Sequence, residues 1–345
     1  MQQLNFIETG RLEWRDAPEP RLESDRDAIV EPVAVATCDL DSLIVRGAVP
    51  LDGPFPFGHE GVGRVVDAGD AVHSVVPGDL VSIPFQISCG SCEQCERGHS
   101  AHCRSVPRLS MYGLGPLGSG EFGGLLSDRV RVPFADHMLV RLPSGTAPET
   151  VASLSDNIAD AWRTVGPHLE QEPGADVLIV SGENSISLYA AGIACALGAR
   201  QVDFVGGGPR QLEIAERLGA NAIAGDVPSR LGPYPITVDA SNSHAGLACA
   251  LRSTGPDGVC TSIGIYFEPT TPMPLFEMYT TGIHFLTGRV HAREAMVPAL
   301  ALIEQGRLHP ELVTSQVVRW DDAAEALAEL PRKTVFTREA ISAPG

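Results

Sequence analysis

Near residue 150 the spacing of apolar residues changes, and with it the kind of structure the chain can form. Before that point, runs such as AIVEPVAVAT (28–37), GVGRVVDAG (61–69), DLVSIPF (79–85) and DRVRVPF (128–134) sit between Gly and Pro punctuation. Short alternating runs of this kind predict a β-rich region with few helices. From about 150 to 290, apolar strands at 176–182, 201–206, 236–241 and 259–264 are interleaved with helical stretches, the clearest at 186–199 and 209–220. That alternation predicts βαβ units on a parallel sheet. Beyond 290, REAMVPALALIEQGRL and DDAAEALAEL read as two amphipathic helices. At 345 residues the chain is long enough for two domains. No solenoid-like repeat or low-complexity run interrupts the plan.

Charge and cysteine spacing narrow the class. The formal net charge is −18, and so acidic a surface repels phosphate backbones and anionic lipid, which argues against nucleic acid or membrane as a partner. No segment approaches the ~20 apolar residues that span a bilayer, and MQQLNFIETGRLEWRD lacks the plan of a signal peptide. A soluble, cytoplasmic protein is expected. Four of the eight cysteines fall in Cys89-x2-Cys92-x2-Cys95-x7-Cys103. In a reducing compartment such a cluster reads as metal binding, against the competing readings of incidental thiols, a disulfide pair or an iron–sulfur cluster. Four thiolates on one loop close a tetrahedron around Zn2+ and leave no position for substrate, so this zinc is structural. His99 and His102 could replace a cysteine, but four thiolates suffice.

Cys38 follows a β-run, and FGHEGVGRVVDAG (57–69) with VVPGDLV (75–81) lies about twenty residues on. This pattern resembles the GHE signature of the zinc-containing medium-chain alcohol dehydrogenases, and the four-cysteine loop follows where that family places its structural zinc. The resemblance covers nearly the whole chain. It implies an α/β fold with a GroES-like catalytic domain (1–150 and 291–345) and a Rossmann dinucleotide-binding domain (151–290) with a doubly wound parallel sheet. It implies a catalytic zinc held by Cys38, His59 and Asp156, the last in SLSDNIADAW (153–162), with Glu60 as a transient fourth ligand. The residue types suit that role. A catalytic zinc needs three protein ligands and one exchangeable position, and one thiolate with one carboxylate cancels its charge. Such a metal is a Lewis acid that lowers the pKa of an alcohol, so that hydride can pass to a nicotinamide; the reverse reduces a carbonyl. Singly, Cys38 reads as a buried thiol and His59 as a loop residue; the ordered set is what points to a site. Members of this family pair through the α/β domain, which implies a homodimer or homotetramer.

The family's G-x-G-x-x-G turn is here Gly182-Glu183-Asn184-Ser185-Ile186-Ser187. Asn184 is expected to tolerate the positive φ of the second glycine, and Ser187 is small enough for the third. The helix start at Ser185 and Ile186 offers its N–H groups to a diphosphate. The second strand ends in Gly206-Gly207-Gly208, where an acid for the ribose 2′-OH marks NAD users. With Arg210 nearby, the reading leans slightly to NADP, and NAD stays open. Gly264 and Arg289 lie in stretches resembling the strands beside the nicotinamide, and Arg289 is a candidate for the pyrophosphate. In the family, a Ser or Thr two residues after the zinc Cys and a His three residues later relay the proton. Leu40 and Leu43 hold those positions here. Either water carries the proton, or Asp39 or Asp160 substitutes as the base. Leu40, Leu43, Phe55, Met111, Trp162 and a 266–280 loop would line an apolar pocket for a moderately hydrophobic alcohol. The altered glycine turn and missing acid also keep open a redox-neutral or cofactor-poor zinc-binding relative: a lyase, hydratase or binding protein.

Overall fold

The computed structural model describes residues 1–118, 122–329 and 333–338, and by its contacts the chain divides into two units. The first comprises Met1–Ala159, His291–Leu300 and Thr314–Gly345; of the last segment, 330–332 and 339–345 lie outside the described residues, as does the end of the expected DDAAEALAEL helix. Its main sheet runs, in spatial order, Gln316–Arg319, Thr334–Thr337, Ala28–Ala36, Glu60–Ala68, Leu80–Ile83 and Val140–Arg141, with Val130–Val132 also on Ala28–Ala36. Ala28–Ala36 is buried almost throughout. The register shifts between Pro32 and Ala34, as expected where a proline lacks the N–H that a ladder needs. A hairpin of Gln2–Glu8 and Arg11–Asp16 extends to Phe55–Pro56, and the rings of Phe6 and Phe55 stack at 5.0 Å.

The second unit, Asp160–Val290 and Ala301–Val313, is built on six parallel strands. Their spatial order is Asn221–Ile223, Val202–Gly206, Val177–Ser181, Tyr234–Ala240, Thr254–Ser262 and His284–Thr287. Numbered along the chain that order is 3-2-1-4-5-6, the doubly wound arrangement. Val177–Ser181 is wholly buried, as a strand covered on both faces must be. The helix after it, Ser185–Ala196, is apolar around most of its circumference and correspondingly buried.

Four sequence expectations differ from the structure. The segment beyond 290 supplies two strands, Gln316–Arg319 and Thr334–Thr337, as well as helices. The division between units falls at 159/160 rather than 150/151, because the turn Ala152–Ser155 packs on Ala28–Ala36, Glu60–Ala68 and Leu80–Ile83. Ala301–Val313 joins the second unit, where Arg307 donates to the carbonyl of Ala196. Within 266–280, expected as a loop, the helix Leu275–Thr281 begins. Among the described residues no helix is long and apolar enough to cross a membrane.

Candidate active site

Antiparallel pairing brings the first site together. Ala36 lies opposite Glu60, so Cys38, just past one strand, and His59, just before the other, emerge at the same end of the sheet. Gly58 precedes His59 at φ +88, and a Cβ there would lie 2.9 Å from the Leu126 backbone nitrogen. Only glycine suits that approach. Cys38 caps the helix Asp39–Val45. Asp156 ends the turn Ala152–Ser155, which is fastened to the sheet by Gly61 N–H donating to Ser155 Oγ at 2.8 Å. One ligand atom from each of Cys38, His59 and Asp156 falls within 4.8 Å of the other two. His59 Nε2 stands 3.3 Å from Asp156 Oδ2, close to the edge of ~3.3 Å between N and O ligands of tetrahedral zinc.

The structure adds two residues that the sequence reading lacked. Asp41, 1% exposed, accepts from Cys38 N–H at 2.8 Å and places Oδ1 3.5 Å from His59 Nδ1. Neither of those facing atoms has a hydrogen-bond partner. A histidine that gives Nε2 to a metal normally donates Nδ1–H to such a carboxylate, which fixes its tautomer. The spacing from Cys38 to Asp41 is that of a capping box, a local signal that could have been read. Lys333, also buried, donates to Glu60 Oε2 at 2.7 Å and to the Thr37 carbonyl at 2.6 Å. Almost three hundred residues separate it from its partners, and no local pattern announces it. Glu60 also accepts from Asn157 N–H at 3.3 Å. Its carboxylate is outside the three-residue cluster, so the structure does not place it as a ligand beside Cys38, His59 and Asp156.

Charges here are held at a cost. Burial, then Asp156 and Asp41, push the Cys38 thiol well above its ordinary range. Burial works against a proton on His59, but Asp41 and Asp156 carry its pKa up to about 9. Burial lifts Glu60 to about 8 despite Lys333. A thiol and several carboxylates gathered around one imidazole, with two buried polar atoms unpartnered, are a donor set suited to a divalent cation. The Phe85 ring meets His59 edge-on at 5.9 Å and keeps that side apolar.

In the cysteine lobe, Cys92 Sγ lies 3.6 Å from Cys95 Sγ and 3.9 Å from Cys103 Sγ, and Cys89 Sγ lies 4.0 Å from Cys95 Sγ. A zinc tetrahedron with ~2.3 Å bonds has edges of ~3.8 Å, so the four sulfurs fit it, and all are free thiols. The N–H groups of Ser91, Cys92 and Arg104 point at sulfur. Burial raises the Cys89 thiol, but hydrogen bonds from Ser105, Ser91 and Cys92 outweigh it and bring the pKa down to about 6. His99 and His102 stand against His291 instead of replacing a sulfur.

In the second unit, Gly182 to Asn184 form the turn between the first strand and its helix, whose first turn begins with Ser185, Ile186 and Ser187. Asn184 does not take a positive φ, contrary to expectation: it is extended at φ −144, caps the helix by accepting from Ser187 N–H, and donates to the Ala240 carbonyl at 2.6 Å. Its side chain is more useful as a cap than its backbone would be as a glycine mimic. Ser187 Oγ bonds Ser181 Oγ at 2.7 Å and the Asn184 carbonyl at 3.0 Å. Ser185 is buried and Ile186 half-buried on the first turn of the helix. Gly206 has φ +92, and a Cβ there would lie 2.3 Å from the Ser181 carbonyl oxygen, so no side chain fits. Arg210 is exposed at the start of the next helix. Gly264 packs against Tyr266 and Arg289 is half-buried. Asp239, also missed in sequence, accepts from Ser241, Ser262 and Tyr266 hydroxyls and braces the ends of two central strands. Of the two candidate bases, Asp160 pairs with Arg163 Nε on its own helix, and Asp39 adjoins Cys38 at the start of the helix Asp39–Val45. Leu43 is 41% exposed, whereas Phe55, Met111 and Trp162 are buried.

Comparison with known proteins follows this geometry. A family model described as the alcohol dehydrogenase GroES-like domain matches residues 24–144. A probable zinc-binding alcohol dehydrogenase of Mycobacterium tuberculosis is 27% identical over 92% of this chain and 82% of its own length. A medium chain reductase/dehydrogenase of Acremonium sp is 31% identical over 77% of this chain and 94% of its own. Among solved structures, an alcohol dehydrogenase from Thermus sp. ATN1 superposes with a TM-score of 0.85 at 26% identity, covering 98% of this chain and 99% of that one. A putative zinc-binding dehydrogenase from Sinorhizobium meliloti 1021 bound to NADP shares the fold at a TM-score of 0.78 and 21% identity, covering 97% and 98%. A short chain alcohol dehydrogenase from E. coli CFT073 complexed with NADH does so at 0.77 and 21%, covering 98% and 99%.

Proposed function

Since this chain belongs to the medium-chain dehydrogenase/reductase family, we propose that it is a zinc-dependent oxidoreductase interconverting an alcohol and an aldehyde or ketone with a nicotinamide dinucleotide. The observation that carries this reading is the buried convergence of Cys38, His59 and Asp156. Bound there, zinc supplies a Lewis acid for the alcohol or carbonyl oxygen, while the dinucleotide supplies the hydride partner. The protein's own residues do the rest. Asp41 orients His59 through Nδ1. Lys333 holds the buried Glu60, the residue after His59, and donates to the carbonyl of Thr37, the residue before Cys38. Asp39 is the candidate base for the alcohol proton in place of Leu40 and Leu43. Asp160 is the weaker candidate, because Arg163 engages its carboxylate. A second zinc in the four-cysteine lobe would be purely structural.

Arg210 was the ground for leaning to NADP, and relatives of this fold carry either NADP or NADH. The partners proposed are a small alcohol or carbonyl and a second copy of the chain, as a homodimer or homotetramer. Phe267, Leu275, Phe276, Tyr279 and Leu286 support the latter: all are exposed, on the last strand of the parallel sheet or in the chain segment leading into it. A cytoplasmic setting agrees with eight free thiols.

The test is an alcohol panel (primary, secondary, aromatic and polyol) with NAD and NADP, alongside NADH and NADPH binding by fluorescence. Cofactor-dependent oxidation that Cys38→Ala abolishes is expected. Binding of neither dinucleotide would refute the dehydrogenase reading and favour the redox-neutral alternative.

A further inference from the structure

The three glycines that end the second strand leave room for a group from elsewhere in the unit. A Cβ built onto Gly208 would lie 2.7 Å from Oε1 of Glu183, the second residue of the first glycine turn. Gly206 and Gly207, at φ +92 and +73, offer no side chain of their own. Both neighbours of Glu183 are pinned. Gly182 N–H donates to the Ala240 carbonyl at 2.8 Å, as does Asn184 Nδ2 at 2.6 Å. From the other side, Gln211 Nε2 reaches the carbonyls of Gly182 at 3.4 Å and Asn184 at 2.5 Å. The backbone therefore aims the Glu183 side chain at the glycine turn. Among the described residues the carboxylate has neither an ion-pair partner nor a hydrogen-bond donor, and Arg210 does not pair with it.

A Rossmann unit that uses NAD presents an acid at the end of its second strand to take the ribose 2′-OH. We propose that Glu183 supplies that carboxylate from the first turn, across the glycines, and that the protein selects NAD over NADP. This rests on the dehydrogenase reading above and reverses the lean drawn from Arg210. The carboxylate accepts the hydroxyl hydrogens of an unmodified adenosine ribose, and a 2′-phosphate in the same place meets a like charge. Gly208 then has a reason beyond turn geometry, since any side chain there would displace Glu183.

Two variants test it through affinities for NADH and NADPH, measured by fluorescence titration and independent of turnover. Glu183→Gln keeps shape and removes charge. Gly208→Ala, at φ −85, is sterically allowed on its own backbone but pushes Oε1 aside. The wild type should bind NADH more tightly. Each variant should narrow that preference by about tenfold or more, as expected for loss of a charged hydrogen bond and a like-charge repulsion, with thermal stability retained. A wild type that prefers NADPH, or a preference unchanged in Glu183→Gln, overturns the assignment while leaving the dehydrogenase reading intact. Binding of neither dinucleotide removes both.

Discussion

Lys333 is buried against the zinc-site strands, and replacing it by methionine isolates what it does. Its side chain is 3% exposed and that of Glu60 is fully buried, with 2.7 Å between them. Removing one member of such a pair leaves an uncompensated buried charge, which costs about 3–5 kcal/mol. Lys333→Met also removes the donor to the Thr37 carbonyl, one residue from Cys38. The cost should depend on pH. Glu60 is raised in the folded state to about 8 from an ordinary value of 4.5, so it binds its proton more tightly folded than unfolded. Its contribution is therefore most favourable below about 4.5 and is lost as pH rises through 8. Without Lys333 the carboxyl rises further, and the destabilisation should be larger at pH 9 than at pH 5. Glu60→Gln alone strands the lysine instead, whereas the double variant removes both charges. The measurement is urea unfolding of the wild type, both single variants and the double, at pH 5, 7 and 9. The double variant should lose less than the sum of the singles by roughly 2 kcal/mol or more. Additive losses, or a Lys333→Met cost that does not grow with pH, would refute the reasoning.

Metal analysis should find close to two zinc ions per chain; Cys95→Ser should remove one and lower the melting temperature, and Cys38→Ser should remove the other with little change in melting. At most one tightly bound zinc in the wild type would sink one of the two ligand sets. Asp39→Asn should lower kcat by on the order of 10²–10⁴ and alter its pH profile with zinc retained, while Asp160→Asn should act mainly through loss of its pair with Arg163. Wild-type kcat for Asp39→Asn across pH 6 to 9 would leave direct transfer to solvent. Phe276→Asp with Tyr279→Asp should shift the protein to smaller species by light scattering, and an unchanged mass would place the interface elsewhere.

Local patterns carried most of what sequence could show. The cysteine spacing and the β-runs around Cys38 and His59 needed only nearest neighbours, and the strand–helix alternation gave the parallel sheet. Contacts between distant segments were out of reach. Lys333 belongs with Glu60 only because Thr334–Thr337 pairs with Ala28–Ala36. Those late strands were missed because each is four residues long beside stronger helical patterns. Glu183 was passed over for a different reason. It occupies a variable position of a glycine motif, and only the turn of the second strand shows where its carboxylate goes. Asn184 was misjudged because propensity for left-handed backbone competed with capping, and the cap won.

The strand Ala28–Ala36 has Glu60–Ala68 on one edge; the other is shared by Val130–Val132, against Ala28–Val30, and Thr334–Thr337, against Ala34–Ala36. During synthesis Glu60–Ala68 leaves the ribosome soon after it, and Thr334–Thr337 only after roughly 300 more residues, several tens of seconds at typical elongation rates. The parallel-sheet unit, contained within 160–313, emerges complete in that interval. The Ala34–Ala36 end of that edge, nearest Cys38, therefore stays unpaired while a whole second unit is made. An intermediate with that end unpaired is the natural substrate for a chaperone, and shortening the chain ahead of residue 334 would leave it permanently in that condition.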